Sequence, residues 1–359
     1  MSVSLPLLPP RYRNLLVVGK LTLPSRVFQS PLAGVTDQVF RRLVRRWARD
    51  SMLYTEMVHA AGLQHQRGHQ IMAIAPDEQP ISIQLFDCRP TFMAEAAQLA
   101  VAEGAWTIDL NMGCPVNKIT RKGGGSSLIR QPEVAEAIVR TVVAAVDVPV
   151  TVKTRIGWSN SEITILDFAR RMEDAGASMI TVHGRTREQG YQGPACWDWI
   201  RQVKEQLSIP VIANGDIISV EAAVHCLNET GADGVMVARG SLGRPSLVGE
   251  IEHYLHTGDR LPEPTPLERL EMAIEHQRAL VTAKGDRGFF QARKHLSWYC
   301  RGFRGANELR DQLMRTPDLA ASEALLAQTR TVLSQVECDE NQSDQIFRAR
   351  LDGFGVNLS

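Results

Sequence analysis

Along the first two-thirds of the chain, short apolar runs alternate with longer segments of helical period. The runs are VFQSPL (27–32), SMLYT (51–55), PISIQL (80–85), WTIDL (106–110), PVTVK (149–153), SMITV (178–182), PVIA (210–213) and DGVMV (233–237). They are rich in Val and Ile and bounded by Gly, Pro, Asp or Asn, as strands buried on both faces of a parallel sheet should be. Between them, segments such as 92–104, 134–146 and 219–231 repeat apolar residues at i, i+3, i+4 and i+7. Eight strands, each followed by a helix, predict an α/β fold, a closed TIM (β/α)8 barrel. An open doubly wound sheet is the alternative. The count of eight and the absence of GxGxxG after the first strand weigh against it.

The period changes at LHTGDRLPEPTPLE (255–268). Pro262, Pro264 and Pro266 can continue neither a helix nor a central strand, and only helical patterns follow. The chain therefore reads as a barrel domain over 1–255, a linker over 256–266 and a small C-terminal all-α bundle over 267–337. A tail over 338–359 starts acidic and polar and is expected to be poorly ordered.

Hydrophobic residues make up 44% and charged residues 22%, so the class is ordinary globular. Net charge is zero, so any affinity for nucleic acid must come from local clusters. Six cysteines at 88, 114, 196, 226, 300 and 338 form no CxxC pair and no zinc-spaced cluster. Reduced cytosolic thiols and no metal are expected, hence a cytoplasmic protein. Pro and Arg interrupt the apolar N-terminus, so no signal peptide is read, and no apolar run is long enough to span a membrane.

In such a barrel the reactive groups collect at the C-terminal strand ends. Strand 4 runs into DLNMGCPVNKITRKGGGSS, which carries Asp109, Asn111 and Cys114 toward the mouth and continues as a basic loop with Gly123, Gly124 and Gly125. Consecutive glycines let a loop move and let its backbone approach a ligand closely. Strand 5 ends at Lys153, with Arg155 two residues on. A lysine in an apolar strand costs stability unless it meets an anion; it can also snorkel to the rim or form a Schiff base. Strand 6 ends at His183, strand 7 at Asn214-Gly215-Asp216 and strand 8 at Ala238-Arg239-Gly240. The loops after strands 7 and 8 are where many barrels hold a phosphate. Pro31, Leu32, Ala33 and Gly34 after strand 1 leave room for a flat ring, and the Gln84 amide suits a heterocycle edge. A planar phosphorylated cofactor fits these parts. With FMN, Lys153 would face the N1/C2 edge and stabilise the anionic reduced ring.

At this point the sequence resembles the tRNA-dihydrouridine synthases, through SPLAGVTD (30–37), DLNMGCPVNKITRKGGGS (109–126), VKTRIGW (152–158), TVHGRTREQGYQG (181–193), VIANGDI (211–217) and ARKHLSWY (292–299). It looks most like the bacterial DusB type. The resemblance implies an FMN-bound barrel with a helical tRNA-binding domain. It implies reduction of the C5–C6 double bond of uridine, in the D-loop of tRNA, with NADPH or NADH as reductant. Carried over, FMN contacts fall on Pro31, Leu32, Ala33, Gln84, Lys153, His183, Asn214, Gly215, Asp216, Ala238 and Arg239. The proton donor falls on Cys114, and contacts to the target nucleotide fall on Asn111 and Arg155. Leu32 stands where many members have Met, and Ala238 where many have Gly.

The flipped-out base requires contact to RNA shape and phosphates elsewhere. Residues 284–304 carry Lys284, Arg287, Arg293, Lys294, Arg301 and Arg304 against one acid, Asp286, with Trp298, Tyr299 and Phe303 among them. Arg293, Lys294 and Arg301 are the expected RNA contacts. A second cluster, Arg41, Arg42, Arg45, Arg46 and Arg49, lies on the first barrel helix. A solvated helix face is the plain alternative for both. Competing functions are an FMN oxidoreductase of a free small molecule, such as dihydroorotate or a dihydropyrimidine, an RNA-binding chaperone with an idle barrel, and a Schiff-base aldolase. No obligate protein partner is evident.

Overall fold

A computed structural model describes residues 8–63 and 68–335. The predicted tail 338–359, with Cys338, lies outside them. The chain divides into two compact units, Met1–Ser241 with Pro245–Leu261, and Leu242–Arg244 with Pro262–Ser359. The division falls inside the proline-rich 256–266 segment, and a short piece after the eighth strand groups with the second unit.

In the first unit, eight parallel strands are β1 (Val27–Gln29), β2 (Leu53–Tyr54), β3 (Ile81–Phe86), β4 (Thr107–Met112), β5 (Val150–Arg155), β6 (Met179–His183), β7 (Val211–Asn214) and β8 (Gly234–Val237). They pair in the order β1-β8-β7-β6-β5-β4-β3-β2. The ring closes through a parallel bridge between Phe28 and Met52, where Gln29 N donates to Met52 O at 3.0 Å. This is the predicted barrel.

Helices of eight or more residues flank it: α1 (Gln38–Arg45), α2 (Pro90–Ala102), α3 (Pro132–Ala145), α4 (Ile165–Asp174), α5 (Trp197–Gln206), α6 (Val220–Thr230) and α7 (Leu247–Thr257). Side-chain caps set the starts of two. Asp37 accepts from Phe40 N at 3.0 Å before α1, and Ser219 accepts from Ala222 N at 3.1 Å before α6. Gly231, at φ +62, ends α6. One expectation fails at β2. Among the described residues the helical pieces that follow it are the single turns Ala60–Leu63 and His69–Met72 and the 3-10 turn Pro76–Glu78. Gly68, at φ +100, starts the second turn, and Pro76 follows soon after, so the local sequence does not sustain a long helix.

The N-terminal residues form an antiparallel hairpin, Leu16–Val18 with Leu21–Leu23, turning at Gly19 (φ +56). Leu16, Val18 and Leu23 share a buried cluster with Phe28, Met52 and Met236, so the hairpin packs on the lower barrel core. Leu16, Val18 and Leu23 are thus part of the core, whereas Leu15 and Val17 are exposed.

The second unit contains α8 (Pro266–Lys284), α9 (Asp286–Tyr299), α10 (Ala306–Arg315) and a helix from 319 through the last described residue. Thr265 and Glu268 form a capping box in front of Pro266, a start worth about 1 kcal/mol. Leu270, Leu296, Tyr299, Leu313 and Leu326 are buried in its core. Among the described residues no helix is long and apolar enough to cross a membrane.

Candidate active site

β4 and β5 run two residues beyond their predicted ends, so Asn111 and Arg155 are strand residues. Side chains alternate across a strand, so Asp109 with Asn111, and Lys153 with Arg155, repeat along one face of each. Register sets Gln84 beside Asp109, Asp109 beside Thr151, Asn111 beside Lys153, and His183 beside both Arg155 and Asn214. Seven strand-borne candidates therefore adjoin one another.

Asp109 does not reach the mouth. It is fully buried, accepting from Thr151 Oγ1 at 2.6 Å and Gln84 Nε2 at 2.7 Å. Burial pushes its carboxyl up to about 6, against those two hydrogen bonds and the Lys153 charge. Gln84 Oε1 accepts from Asn111 Nδ2 at 2.9 Å. Asn111 Oδ1 accepts the N–H groups of Gly113 (3.2 Å) and Cys114 (2.9 Å). The amides of Gln84 and Asn111, expected to face ligands, are thus largely engaged by the protein.

Cys114 begins the loop. Burial pushes its thiol above the ordinary value, outweighing the Val116 N–H and the Arg155 and Lys153 charges. The thiol stays protonated at neutral pH. The glycine run has a different task from the one expected. Gly125, at φ +59, lies so close to Cys114 that a Cβ would meet its carbonyl oxygen at 2.7 Å. Ser126 N and Oγ both donate to that oxygen at 3.0 Å. The loop is folded back on its own strand end, with its close approach made to Cys114.

Lys153 is half-buried, and among the described residues its one hydrogen bond goes to Asn214 Oδ1 at 2.8 Å. Asn214 Nδ2 donates onward to Met236 O at 2.9 Å. Burial, then the Arg155 charge, lowers the ammonium to about 8. Arg155 braces two loops. Its Nε donates to Gly113 O at 2.8 Å, and Nη1 to Thr186 O at 2.9 Å and Gly190 O at 2.8 Å. Only Nη2 remains for a nucleotide.

Arg185, not singled out in the sequence, is buried and grips both Asp216 oxygens with Nη2, at 2.6 and 2.7 Å. Burial opposes ionisation of Asp216, but Arg185, the Ala195 N–H and Arg239 together hold its carboxyl below the ordinary value. Asp216 itself is at φ +58, after Gly215 at φ +120. Arg185 Nη1 also lies 3.3 Å from His183 Nε2. Guanidinium can only donate, so Nε2 accepts and Nδ1 carries the proton. Burial and the charges of Arg155, Lys153, Arg185 and Arg239 push His183 well below its usual value, so it is neutral. Tyr191, also missed, is half-exposed with Arg239 and Arg155 at 5.0 and 5.6 Å from its ring centroid. The signal for both was the polar string GRTREQGYQG after β6.

Pro31 and Leu32 are half-buried, Ala33 and Arg239 exposed, and Ala238 half-buried, all at strand ends. In the second unit, Lys294 and Arg301 are exposed, whereas Arg293 turns inward. Its Nη2 donates to Thr316 O, and its guanidinium lies 5.0 Å from both the Phe289 and Phe290 rings. Tyr299 is core. The first-helix arginines are mainly structural. Arg41 pairs with Glu78 at 2.7 Å, both buried, and Arg45 donates to the carbonyls of Ala48, Arg49, Glu78 and Pro80.

A family model described as dihydrouridine synthase matches residues 28–336. The chain belongs to the dihydrouridine synthase family. It is 64% identical over 321 residues to "Probable tRNA-dihydrouridine synthase 1" of Synechocystis sp., covering 89% of this chain and 90% of that one. It is 41% identical to "tRNA-dihydrouridine synthase B" of Pseudomonas syringae pv. tomato, over 91% of this chain and 97% of the relative. A Pseudomonas aeruginosa protein of the same name is also 41% identical, over 87% and 94%.

Dihydrouridine synthases use FMN with a nicotinamide nucleotide as reductant, and the donor set here fits that cofactor. Lys153, Arg155, Arg185 and Arg239 all act on His183, while Asp216 pairs directly with only Arg185 and Arg239. That surplus of positive charge suits a phosphate and an anionic ring. Half-buried Lys153 hydrogen-bonds a neutral amide and feels only the Asp109 carboxyl as an acid, which suits an anionic ligand as a further partner.

Proposed function

We propose that this chain is a tRNA-dihydrouridine synthase in which Cys114 is the general acid. When bound, FMN supplies hydride from NADPH to C6 of a uracil ring. The chain's own residues do the rest. Lys153 presents a cation to the ring edge, and neutral His183 offers its Nδ1–H. The backbone of Gly215-Asp216 and Ala238-Arg239 takes the phosphate, while Pro31, Leu32 and Ala33 lie along the ring. Negative charge develops at C5 as hydride arrives at C6, and the Cys114 thiol delivers a proton there from the opposite face. The single observation that carries this role is the place of Cys114, two residues past the end of its strand with its N–H held by Asn111 Oδ1, where burial keeps the thiol above its ordinary value and hence protonated.

The second unit supplies RNA contacts through exposed Lys294 and Arg301, and the enzyme works in the cytoplasm on tRNA. Arg301 belongs to a group with Arg244 and Arg269, where Arg269 Nη2 donates to Arg301 O at 3.1 Å. Glu263, at 3.2 Å from Arg244, is the acid that offsets them. Such a group suits backbone phosphates.

The test is purified protein with FMN, NADPH and unmodified tRNA, reading dihydrouridine by mass. Cys114→Ala should retain flavin that NADPH reduces, yet lose base reduction by about 10²-fold or more. Undiminished turnover in that variant refutes the acid role. Free uridine or dihydroorotate turning over as well as tRNA favours a small-molecule oxidoreductase instead.

A further inference from the structure

The chain from Asp109 to Cys114 has a direction that follows from hydrogen-bond chemistry. A carboxylate only accepts, so Gln84 must turn its NH2 toward Asp109 and its oxygen toward Asn111. Asn111 then offers its own NH2 to Gln84, and its oxygen is left for the backbone N–H groups of Gly113 and Cys114. Those N–H groups can only donate, so both ends demand the same polarity. Thr151 closes the buried end by donating to the second carboxylate oxygen. Gly113 is held from the far side as well, since its carbonyl accepts from Arg155 Nε.

We propose that Asp109 is a positioning residue for Cys114, acting through Gln84 and Asn111 to hold the thiol-bearing turn in register with the base. This rests on Cys114 being the proton donor. Removing the carboxylate leaves the buried Gln84 NH2 without its acceptor. Gln84 then turns, Asn111 loses the partner that orients its amide, and the Cys114 turn drifts. Misplacement by about 1 Å suffices to cost about 10²-fold in rate.

The carboxylate also carries a pH signature. Ionised, it accepts from Thr151 and Gln84 together. Protonated, its O–H cannot face the Gln84 NH2, and on the other oxygen it requires the Thr151 hydroxyl to turn from donor to acceptor. The titratable groups facing it are Tyr54 from β2 and Lys153 from β5. Tyr54 is pushed well above 10 by burial and stays neutral, and Lys153, at about 8, stays charged below that. Of these three groups Asp109 alone titrates near 6, so base reduction should fall as pH drops through about 6.

The experiment compares wild type, Asp109→Leu, Asp109→Asn and Cys114→Ala, with the double variant Asp109→Leu/Cys114→Ala. Asp109→Leu should lower kcat for tRNA at least about tenfold, leaving KM for tRNA and flavin reduction by NADPH within about twofold. Asp109→Asn keeps an acceptor for Gln84, so it should recover most of the rate and lose the limb near pH 6. In the Cys114→Ala background Asp109→Leu should add nothing. If Asp109→Leu does not fold, Thr151→Val removes the hydrogen bond that favours the ionised carboxylate and should move the acid limb upward from about 6 with flavin reduction kept within about twofold; an unmoved limb overturns the role. A full-rate Asp109→Leu, or losses that multiply in the double variant, overturns the positioning role. A full-rate Cys114→Ala removes the acid role and this proposal with it. A crippled Cys114→Ala beside a full-rate Asp109→Leu removes the proposal alone.

Discussion

Lys153 shows what a single residue must reconcile. It is a half-buried ammonium, lowered to about 8, with one hydrogen bond to a neutral amide. If FMN is the anion it serves, binding requires the charged form and raises its pKa. The sign follows. FMN affinity of the apoprotein should be steady below about 8 and fall about tenfold per pH unit above it, measured by fluorescence titration. Lys153→Met should weaken FMN at neutral pH and abolish that slope; a flat wild-type profile would break the link. Lys153 was legible because a charge inside a Val-rich strand is conspicuous. Arg185 was not, because GRTRE reads equally as a solvated turn. Its burial comes from Asp216, 31 positions along the chain. The depth of Asp109 was equally hidden, since strand alternation gives a face and leaves the height along the barrel to register.

At the scale of elements, the loop after β4 has a role beyond the one its motif suggested. Its glycines suggested mobility around a ligand, whereas Gly125 sits at φ +59 against the Cys114 carbonyl. Gly125→Ala places a Cβ at 2.7 Å from that oxygen in a left-handed conformation. It should cost about 1–3 kcal/mol by denaturant melts and lower base reduction more than flavin reduction. Equal losses in both half-reactions would point to general destabilisation. The arginines of α1 carry the opposite lesson. Five basic residues in nine positions suggested an RNA surface, yet Arg41 and Arg45 satisfy buried carbonyls and Glu78. Breaking the buried Arg41–Glu78 pair would leave an uncompensated charge, which costs about 3–5 kcal/mol. Helical period could not reveal this, because the partners lie in the irregular segment around 73–80. The same segment replaced the long helix expected after β2, where glycine and proline override the barrel's repeat.

For the whole molecule, the change of period and the division into two compact units lie close together in the chain. The change from strand–helix alternation to helices marked the division within a few residues of Leu261. Zero net charge averages over local groups such as that of Arg244, Arg269 and Arg301. Affinity for tRNA should therefore fall steeply with salt despite that zero. Lys294→Glu with Arg301→Glu should weaken it and flatten the slope of log affinity against log salt by about two. Salt-independent binding in filter assays would exclude this surface. Arg155 adds a constraint of another kind. One guanidinium ties the carbonyl beside the thiol to two carbonyls of the segment bearing Tyr191. Remodelling either segment for a different nucleotide would therefore drag the other along, so grafts between relatives should succeed when both are transplanted together and fail when one travels alone.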